Sequence, residues 1–132
     1  MNQLVMIGSL IVFFALLFYS IGIFTEQKHK KVVPRVLLFL TLGIVFDIIA
    51  TAFMIAGSSK GLFTLHGIIG YSSLLGMLID NILIWRLRLT NGMGAGVPDA
   101  IHSYSRYAYF WWVIAFITGG LLVLIPKLPH IL

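Results

Sequence analysis

Cysteine is absent from this chain of 132 residues. The absence excludes disulfides, thiolate metal sites, iron–sulfur clusters held by cysteine and covalent c-type haem attachment. Any metal or haem must therefore be held by histidine, methionine, tyrosine or carboxylate side chains. The chain contains 4 histidines.

Charged residues are scarce as well. Only 10% of the residues are charged, whereas 60% are hydrophobic and the mean hydropathy is +1.04. A soluble domain could not cover its exterior with so few charged side chains, so the composition predicts an integral membrane protein. The net charge of +5 is explained by contact with anionic membrane lipid and gives no indication of nucleic-acid binding.

Four apolar stretches approach the roughly 20 residues needed to cross about 30 Å of hydrocarbon. They are evenly apolar, whereas the strands of a membrane barrel would alternate. The sequence therefore predicts an all-α fold, with residues 1–132 forming one transmembrane domain, an integral membrane four-helix bundle. The first stretch has no basic start and no cleavage site of small residues, so we expect a retained span and not a signal peptide. The predicted spans are residues 4–24, 36–57, 62–85 and 108–125.

Most basic residues lie in two places, after the first span and between the third and fourth spans. The positive-inside rule places both loops in the cytoplasm, so both termini are expected on the outer side of the membrane. Tyrosine and tryptophan side chains near the second loop, Trp112 among them, are expected to anchor the inner interface. Of the 9 lysine and arginine residues, those in the two loops are Lys28, Lys30, Lys31, Arg35, Arg86, Arg88 and Arg106.

The segment between the third and fourth spans is rich in glycine. Residues 90–97 are therefore predicted to form a flexible linker. Pro98 followed by Asp99 is a favourable helix start, because proline suits the first turn and an acid there favours the helix dipole. The fourth helix is expected to begin at this point, which places His102 and Arg106 just below the inner membrane face.

Small and polar residues recur at helical spacing on one face of each of the first three spans. Such faces let membrane helices approach closely, so the three are expected to meet in the core. Asp47 is expected level with Ser73, and Asp80 level with Tyr19. Either these acids are structural carboxylates satisfied by hydroxyl groups, or they belong to a proton path or ion site. The three stripes are Gly8, Val12, Ala15, Tyr19, Gly22, Glu26 and His29; Gly43, Asp47, Thr51 and Met54; and His66, Gly70, Ser73, Met77 and Asp80.

His66 lies inside the third apolar stretch. An ionisable group at membrane depth is costly unless it binds or pairs with something, so the position indicates a functional site. At a rise of about 1.5 Å per residue, His66 should lie at the level of Gly8 in the first span, Met54 in the second, and Gly119 and Gly120 in the fourth. Glycines on several helices at this level would leave a slot for a flat macrocycle such as haem b. The alternative is that His66 only hydrogen-bonds a neighbouring helix.

His29 and His102 lie at the other end of the predicted bundle, among cations such as Arg106 that could neutralise haem propionates. Because His66 and His102 should be about 30 Å apart along the membrane normal, they cannot ligate one iron. Bis-histidine ligation would need His29 with His102, or two copies of His66 in a homodimer; alternatively, His29 and His102 are ordinary interfacial histidines. The candidate haem-binding residues are His66, His102, His29, Met54 and Arg106, and the candidate iron ligands are His66 and His102.

The segments from His66 to Asp80 (HGIIGYSSLLGMLID) and from His102 to Tyr107 (HSYSRY), within four spans, resemble the small bacterial haem-sensing membrane protein family. The resemblance extends over essentially the whole chain. It implies a protein that binds haem non-covalently in the cytoplasmic membrane and, by sequestering it, contributes to tolerance of haem and oxidative stress. It implies no particular set of ligands.

Three functional classes remain open from the sequence. A non-catalytic haem-binding protein fits the intramembrane histidine and the basic inner rim. A b-type electron-transfer cytochrome would need paired histidines at matched depth. A small ion-coupled efflux transporter would usually hold a carboxylate within the first span, but the first acid in this chain is Glu26, at the inner end of that span. No catalytic constellation is visible, so an enzyme is not expected.

Overall fold

The computed structural model describes residues 3–57 and 65–124, and this part of the chain contains four α-helices. The predicted all-α, four-helix fold is confirmed there. Helices α1, α3 and α4 extend beyond the predicted spans toward the basic loops, and the predicted start of the third span at residue 62 lies outside the described residues. The helices are α1 (Gln3–His29), α2 (Pro34–Gly57), α3 (Leu65–Asn91) and α4 (Asp99–Leu124).

Among the described residues, three helical segments are long and apolar enough to cross a membrane. They are Met6–His29, Pro34–Gly57 and Gly67–Asn91, with mean hydropathies of 2.4, 2.4 and 1.6. A helix of this length extends about 36 Å, which exceeds the hydrocarbon thickness of about 30 Å. Large apolar side chains such as Leu10 and Leu75 point away from the other helices and are exposed in the isolated chain. Length and composition together indicate a membrane protein.

Each helix packs against two neighbours, so the bundle is square in cross-section. Helix α1 lies along α2, α3 lies along α4, and contacts between α2 and α3 and between α1 and α4 close the ring. Over the described ranges, the backbones of the diagonal pairs, α1 with α3 and α2 with α4, do not come into contact. Side chains that reach across the centre therefore decide how each diagonal is joined.

Glycines allow α1 and α2 to pack closely. The ring of Tyr19 lies directly on Gly43, in the space that a β-carbon would occupy. At Gly8, a β-carbon would lie 2.8 Å from Cγ of Met54. Both glycines therefore serve as contact surfaces between helices, as small residues commonly do in membrane bundles.

Most members of the stripes predicted for the first three spans face the core, and Val12, Thr51, Met54 and Gly70 are half-buried. His29 is an exception, because it lies in the last turn of α1 at the end of the bundle and is exposed. The side chain of His66 lies outside the described residues. The buried members are Gly8, Ala15, Tyr19, Gly22 and Glu26 of α1, Gly43 and Asp47 of α2, and Ser73, Met77 and Asp80 of α3.

The two basic loops pair with each other at one end of the bundle, which we call the basic end. The N–H of Val32 donates to the carbonyl of Ala95 at 2.8 Å, and the N–H of Gly94 donates to the carbonyl of Val32 at 2.7 Å. Gly92 and Gly94 have φ angles of 87° and 82°, a conformation that glycine adopts without strain. The expectation of a flexible linker over 90–97 is therefore wrong, because backbone hydrogen bonds tie this segment to the loop between α1 and α2.

Helix α4 begins at Asp99 directly after Pro98, as predicted. Asp99 also forms a solvent-exposed salt bridge with Lys30 of the opposite loop. The hydrogen bond and charge of the Lys30 ammonium hold the pKa of Asp99 below its usual value. Asp99 is therefore ionised at neutral pH and joins the two loops electrostatically.

Candidate functional site

A short contact between a histidine and a buried carboxylate joins α1 to α4 at the basic end. Nδ1 of His102 lies 2.6 Å from Oε2 of Glu26. The Glu26 side chain is fully buried, while that of His102 is 17% exposed. Because Glu26 occupies Nδ1, the other ring nitrogen is left for a different partner, and Nε2 makes no hydrogen bond within the described part of the chain.

Gln27 and Arg106 surround this pair. Nε2 of Gln27 donates to Oε1 of Glu26 at 2.9 Å and to the backbone carbonyl of His102 at 2.9 Å. Nε of Arg106 donates to Oε1 of Gln27 at 3.1 Å. The amide of Gln27 thus holds the Glu26 carboxylate and the first turn of α4 in fixed positions. Arg106 is itself exposed, so its guanidinium can also reach an anion outside the bundle.

One turn deeper, Asp80 of α3 meets Ser105 of α4. Ser105 follows His102 by one helical turn, about 4.5 Å along the axis. Its hydroxyl donates to Oδ1 of Asp80, and both residues are buried, at 1% and 0% exposure. The other carboxylate oxygen of Asp80, Oδ2, is buried and has no hydrogen-bond partner among residues 3–57 and 65–124.

Near the middle of the bundle, Asp47 joins three helices. Its Oδ2 accepts a hydrogen bond from the Tyr19 hydroxyl of α1 at 2.9 Å and another from Nε1 of Trp112 of α4 at 2.8 Å. The two aromatic rings meet edge to face, with 4.9 Å between their centroids. The bond from Trp112 crosses the diagonal between α2 and α4, so one carboxylate holds α1, α2 and α4 together.

The donors to the two aspartates differ from those that depth alone suggests. Asp47 was expected beside Ser73, but the Ser73 hydroxyl donates to the carbonyl of Gly70 in its own helix at 2.8 Å. Asp80 was expected level with Tyr19, whose hydroxyl donates to Asp47. Depth places residues on a common level, whereas the rotation of each helix decides which pair meets.

Trp112 is not an interfacial anchor, although the sequence predicts it to be one. It is 3% exposed and donates to a buried carboxylate. The reason is that α4 begins at Asp99 and Trp112 lies about 20 Å further along the helix axis, which places it at mid-depth.

These groups form a polar column, defined by Glu26, His102, Asp80, Ser105, Asp47, Tyr19 and Trp112. It runs from the basic end to the middle of the bundle. The chain has 4 acidic residues, and all except Asp99 belong to the column. Asp80 and Glu26 lie on the diagonal helices α3 and α1, and their carboxyl groups are near each other in the column.

The candidate haem-binding residues lie at both ends of the bundle. His102, His29 and Arg106 are together at the basic end, where His29 is exposed. Met54 lies near the opposite end and packs against Gly8. His66 occupies the first turn of α3, and its side chain lies outside the described residues.

The glycine slot expected beside His66 is not open on the side formed by α1. The space beside Gly8 is filled by Met54 and by the carbonyl of Ala50, so α1 and α2 are in contact at this level.

No three histidine or acidic side chains lie together in a way that could hold a metal ion, as far as the described residues extend. A shallow groove of about 260 Å³ lies at the basic end, below the usual range of about 300–1,000 Å³ for ligand pockets. It is lined by Leu83, Arg86, Leu87, Thr90 and Ile101.

Sequence reasoning missed the pairing of Glu26 with His102. A signal was present, because Glu26 belongs to the inward stripe of α1 and is the only acid in that helix. His102 was placed at the same end, so a search for opposite charges between inward faces could have joined the two residues. The donation from Trp112 had no such signal, since tryptophan at this position fits either a core or an interface.

No protein-family model matches the chain, and no curated protein or solved structure matches it. The polar column and the basic end are therefore the features that bear on function.

Proposed function

We propose that this chain is a non-catalytic, multi-pass protein of the bacterial cytoplasmic membrane that binds and sequesters haem b, with His102 as an iron ligand. The contact between Nδ1 of His102 and the buried Glu26 carboxylate supports this most directly. Metal-ligating histidines characteristically donate their other ring N–H to a carboxylate, which fixes the tautomer and raises the basicity of the ligating nitrogen. The proposal draws further support from the resemblance to the haem-sensing membrane family.

The surroundings of His102 suit an anionic, largely apolar cofactor. The imidazole is partly exposed and so is not sealed inside the bundle. Arg106 is exposed one turn further along α4, and Lys28 is exposed near the end of α1. Arginine and lysine provide charge-assisted hydrogen bonds to carboxylates, so these residues would hold the propionates. Haem b would supply the iron centre, while this chain supplies the ligand, the carboxylate that orients it and the cations.

Two further histidines, His29 and His66, are candidate haem ligands in this proposal. His29 is exposed at the basic end, so it is the candidate second ligand for an iron held by His102. His66 belongs to the opposite half of the bundle, where its expected intramembrane depth makes it the candidate for a separate haem, alone or with a second copy of the chain. Titrating haem into histidine variants distinguishes these arrangements.

Each histidine variant has a definite expected spectrum. Purified protein in detergent would be titrated with hemin, and the Soret band would be followed. We expect His102→Ala to abolish or strongly shift the band of the site at the basic end. Glu26→Gln should weaken haem affinity by about 10–100-fold while the band persists, because the ligand remains but loses the carboxylate that orients it.

The other histidines provide the controls. His130→Ala should leave the titration unchanged, His29→Ala should alter the band only if His29 is the second ligand, and His66→Ala reports on a site in the other half. Circular dichroism would show that each variant remains helical. If the His102 variant keeps the wild-type band and affinity, the proposed ligand is wrong; loss in the His66 variant alone would place the haem in the outer half.

The second part of the proposal is orientation, with the basic end in the cytoplasm and both termini outside. The chain lacks cysteine, so single-cysteine variants give unambiguous labelling. We expect Lys127→Cys to react with a membrane-impermeant maleimide in intact cells. Met93→Cys lies in the exposed part of a basic-end loop and should react only after the membrane is permeabilised. The reverse pattern would invert the orientation.

A further inference from the structure

We propose that Asp80 is a proton-binding site inside the bundle, with a carboxyl group that is protonated at neutral pH and exchanges its proton with water at the basic end. This goes beyond haem binding and does not depend on it. The first observation is that Oδ2 of Asp80 is buried with no hydrogen-bond partner in the described part of the chain. The residue itself is 0% exposed.

The comparison with Asp47 shows why Asp80 is the proton site. Both are aspartates buried in the core, yet Oδ2 of Asp47 receives two N–H or O–H donors, from Trp112 and Tyr19. Asp80 receives one, from the Ser105 hydroxyl. A carboxylate is stabilised by the donors it accepts, so Asp47 is equipped to carry negative charge and Asp80 is not.

No cation offsets the charge of Asp80 among the described residues. Hydrogen-bond donors are scarce around Asp80, since Oδ1 of the adjacent Asn81 is also buried without a partner among the described residues. An ionised carboxylate with a single hydroxyl donor is strongly unfavourable in hydrocarbon, whereas the neutral acid is tolerated. The titratable groups that face it are Glu26 and Tyr19 from α1 and Tyr104 from α4, with His102 of α4 beyond Glu26, and Asp47 of α2 beyond Tyr19.

Exchange of the Asp80 proton with water requires water to enter the bundle over only a short distance. Asp80 meets Ser105, which lies one turn, about 4.5 Å, deeper in α4 than the partly exposed His102. Water that enters by about one helical turn from the basic end therefore reaches the level of Ser105 and of the Asp80 carboxyl group. Intramembrane carboxylates positioned in this way are characteristic of proton relays in pumps and transporters.

Infrared spectroscopy of haem-free protein tests the assignment, because a protonated carboxyl absorbs at a higher C=O frequency than a carboxylate. The chain has 4 acidic residues, so the number of possible signals is small. In Asp47→Asn protein labelled with ¹³C at the aspartate carboxyl groups, only Asp80 and Asp99 remain. Asp99 is paired with Lys30 in solvent and is ionised. We expect a carboxylic-acid band that shifts with the ¹³C label and shifts again in D₂O.

Asp80→Asn should remove this band from the otherwise native chain, while Asp47→Asn should retain it. If Asp80→Asn does not fold, the labelled Asp47→Asn protein still decides the matter, since its band can come only from Asp80. Absence of a labelled acid band at neutral pH would show an ionised Asp80 and overturn the proposal. A band that does not move in D₂O would show a sealed proton and overturn exchange. Neither result depends on haem, so failure here is distinguishable from failure of haem binding.

Discussion

Gly43→Val is expected to lower the free energy of unfolding by about 3 kcal/mol or more. A β-carbon at this position would occupy the space of the Tyr19 ring, so the ring must move. Inserting methyl groups into a packed core costs about 1–3 kcal/mol, and displacing Tyr19 also breaks its hydrogen bond to Asp47, worth about 1 kcal/mol. Chemical or thermal unfolding of the protein in detergent micelles would measure the loss.

Gly76→Ala is the matched control. It also replaces a glycine within a helix of the bundle, but a β-carbon there meets its nearest neighbours, Ala108 Cβ and Tyr104 Oη, at an ordinary 3.9 Å. Alanine is a better helix former than glycine by about 1 kcal/mol, so this variant should match or exceed the wild-type stability. Equal stability losses in both variants would mean that the contact of Tyr19 with Gly43 does not determine how closely α1 packs on α2.

Asp47→Ala is expected to destabilise the bundle by about 2–4 kcal/mol, because it removes the acceptor of two buried donors at once. Tyr19 and Trp112 would each retain an unsatisfied polar hydrogen, at a cost of about 1–3 kcal/mol per group. The link across the diagonal between α2 and α4 would also be lost. Besides the unfolding free energy, the fluorescence of Trp112 should change, since its indole N–H loses a charged or strongly polar partner.

Conservative variants separate these contributions. Asp47→Asn keeps an acceptor oxygen in place and should cost only about 1 kcal/mol. Tyr19→Phe removes one donor and leaves Trp112 bonded, so it should cost about 0.5–1.5 kcal/mol. A double-mutant cycle between Tyr19→Phe and Asp47→Ala should show strong coupling. Additive losses would indicate that the two residues stabilise the bundle independently.

The helices and most of their inward faces can be derived from the order of the residues along the chain. Apolar stretches long enough to cross a bilayer permit little except helices, because backbone polar groups must be satisfied within the segment. Small and polar residues at helical spacing then identified buried positions such as Ala15, Glu26 and Asp80 correctly. The start of α4 at Asp99 also followed from local chemistry, since proline and an acid act within the first turn.

Which inward groups meet depends on how the four helices pack against one another. Rise per residue gives depth, but a partner across the bundle also depends on helix rotation and on which helices are diagonal. Asp47 therefore meets Trp112 and Tyr19, and Asp80 meets Ser105, instead of the partners suggested by level alone. The pairing of Glu26 with His102 arises in the same way, from helices that are distant in sequence.

The loops show the same division. Glycine content correctly marked 92–97 as lying outside the helices, although residues 90 and 91 belong to α3, but composition could not show that this segment pairs with the loop after α1. Backbone hydrogen bonds from Val32 and Gly94 require the two loops to lie side by side, and only the packing of α1 against α4 brings them together. Local propensity acts over a few neighbouring residues, whereas these contacts join segments about 60 residues apart in the chain. The sequence thus determined where polar groups face inward, and the packing of the four helices determined what each of them binds.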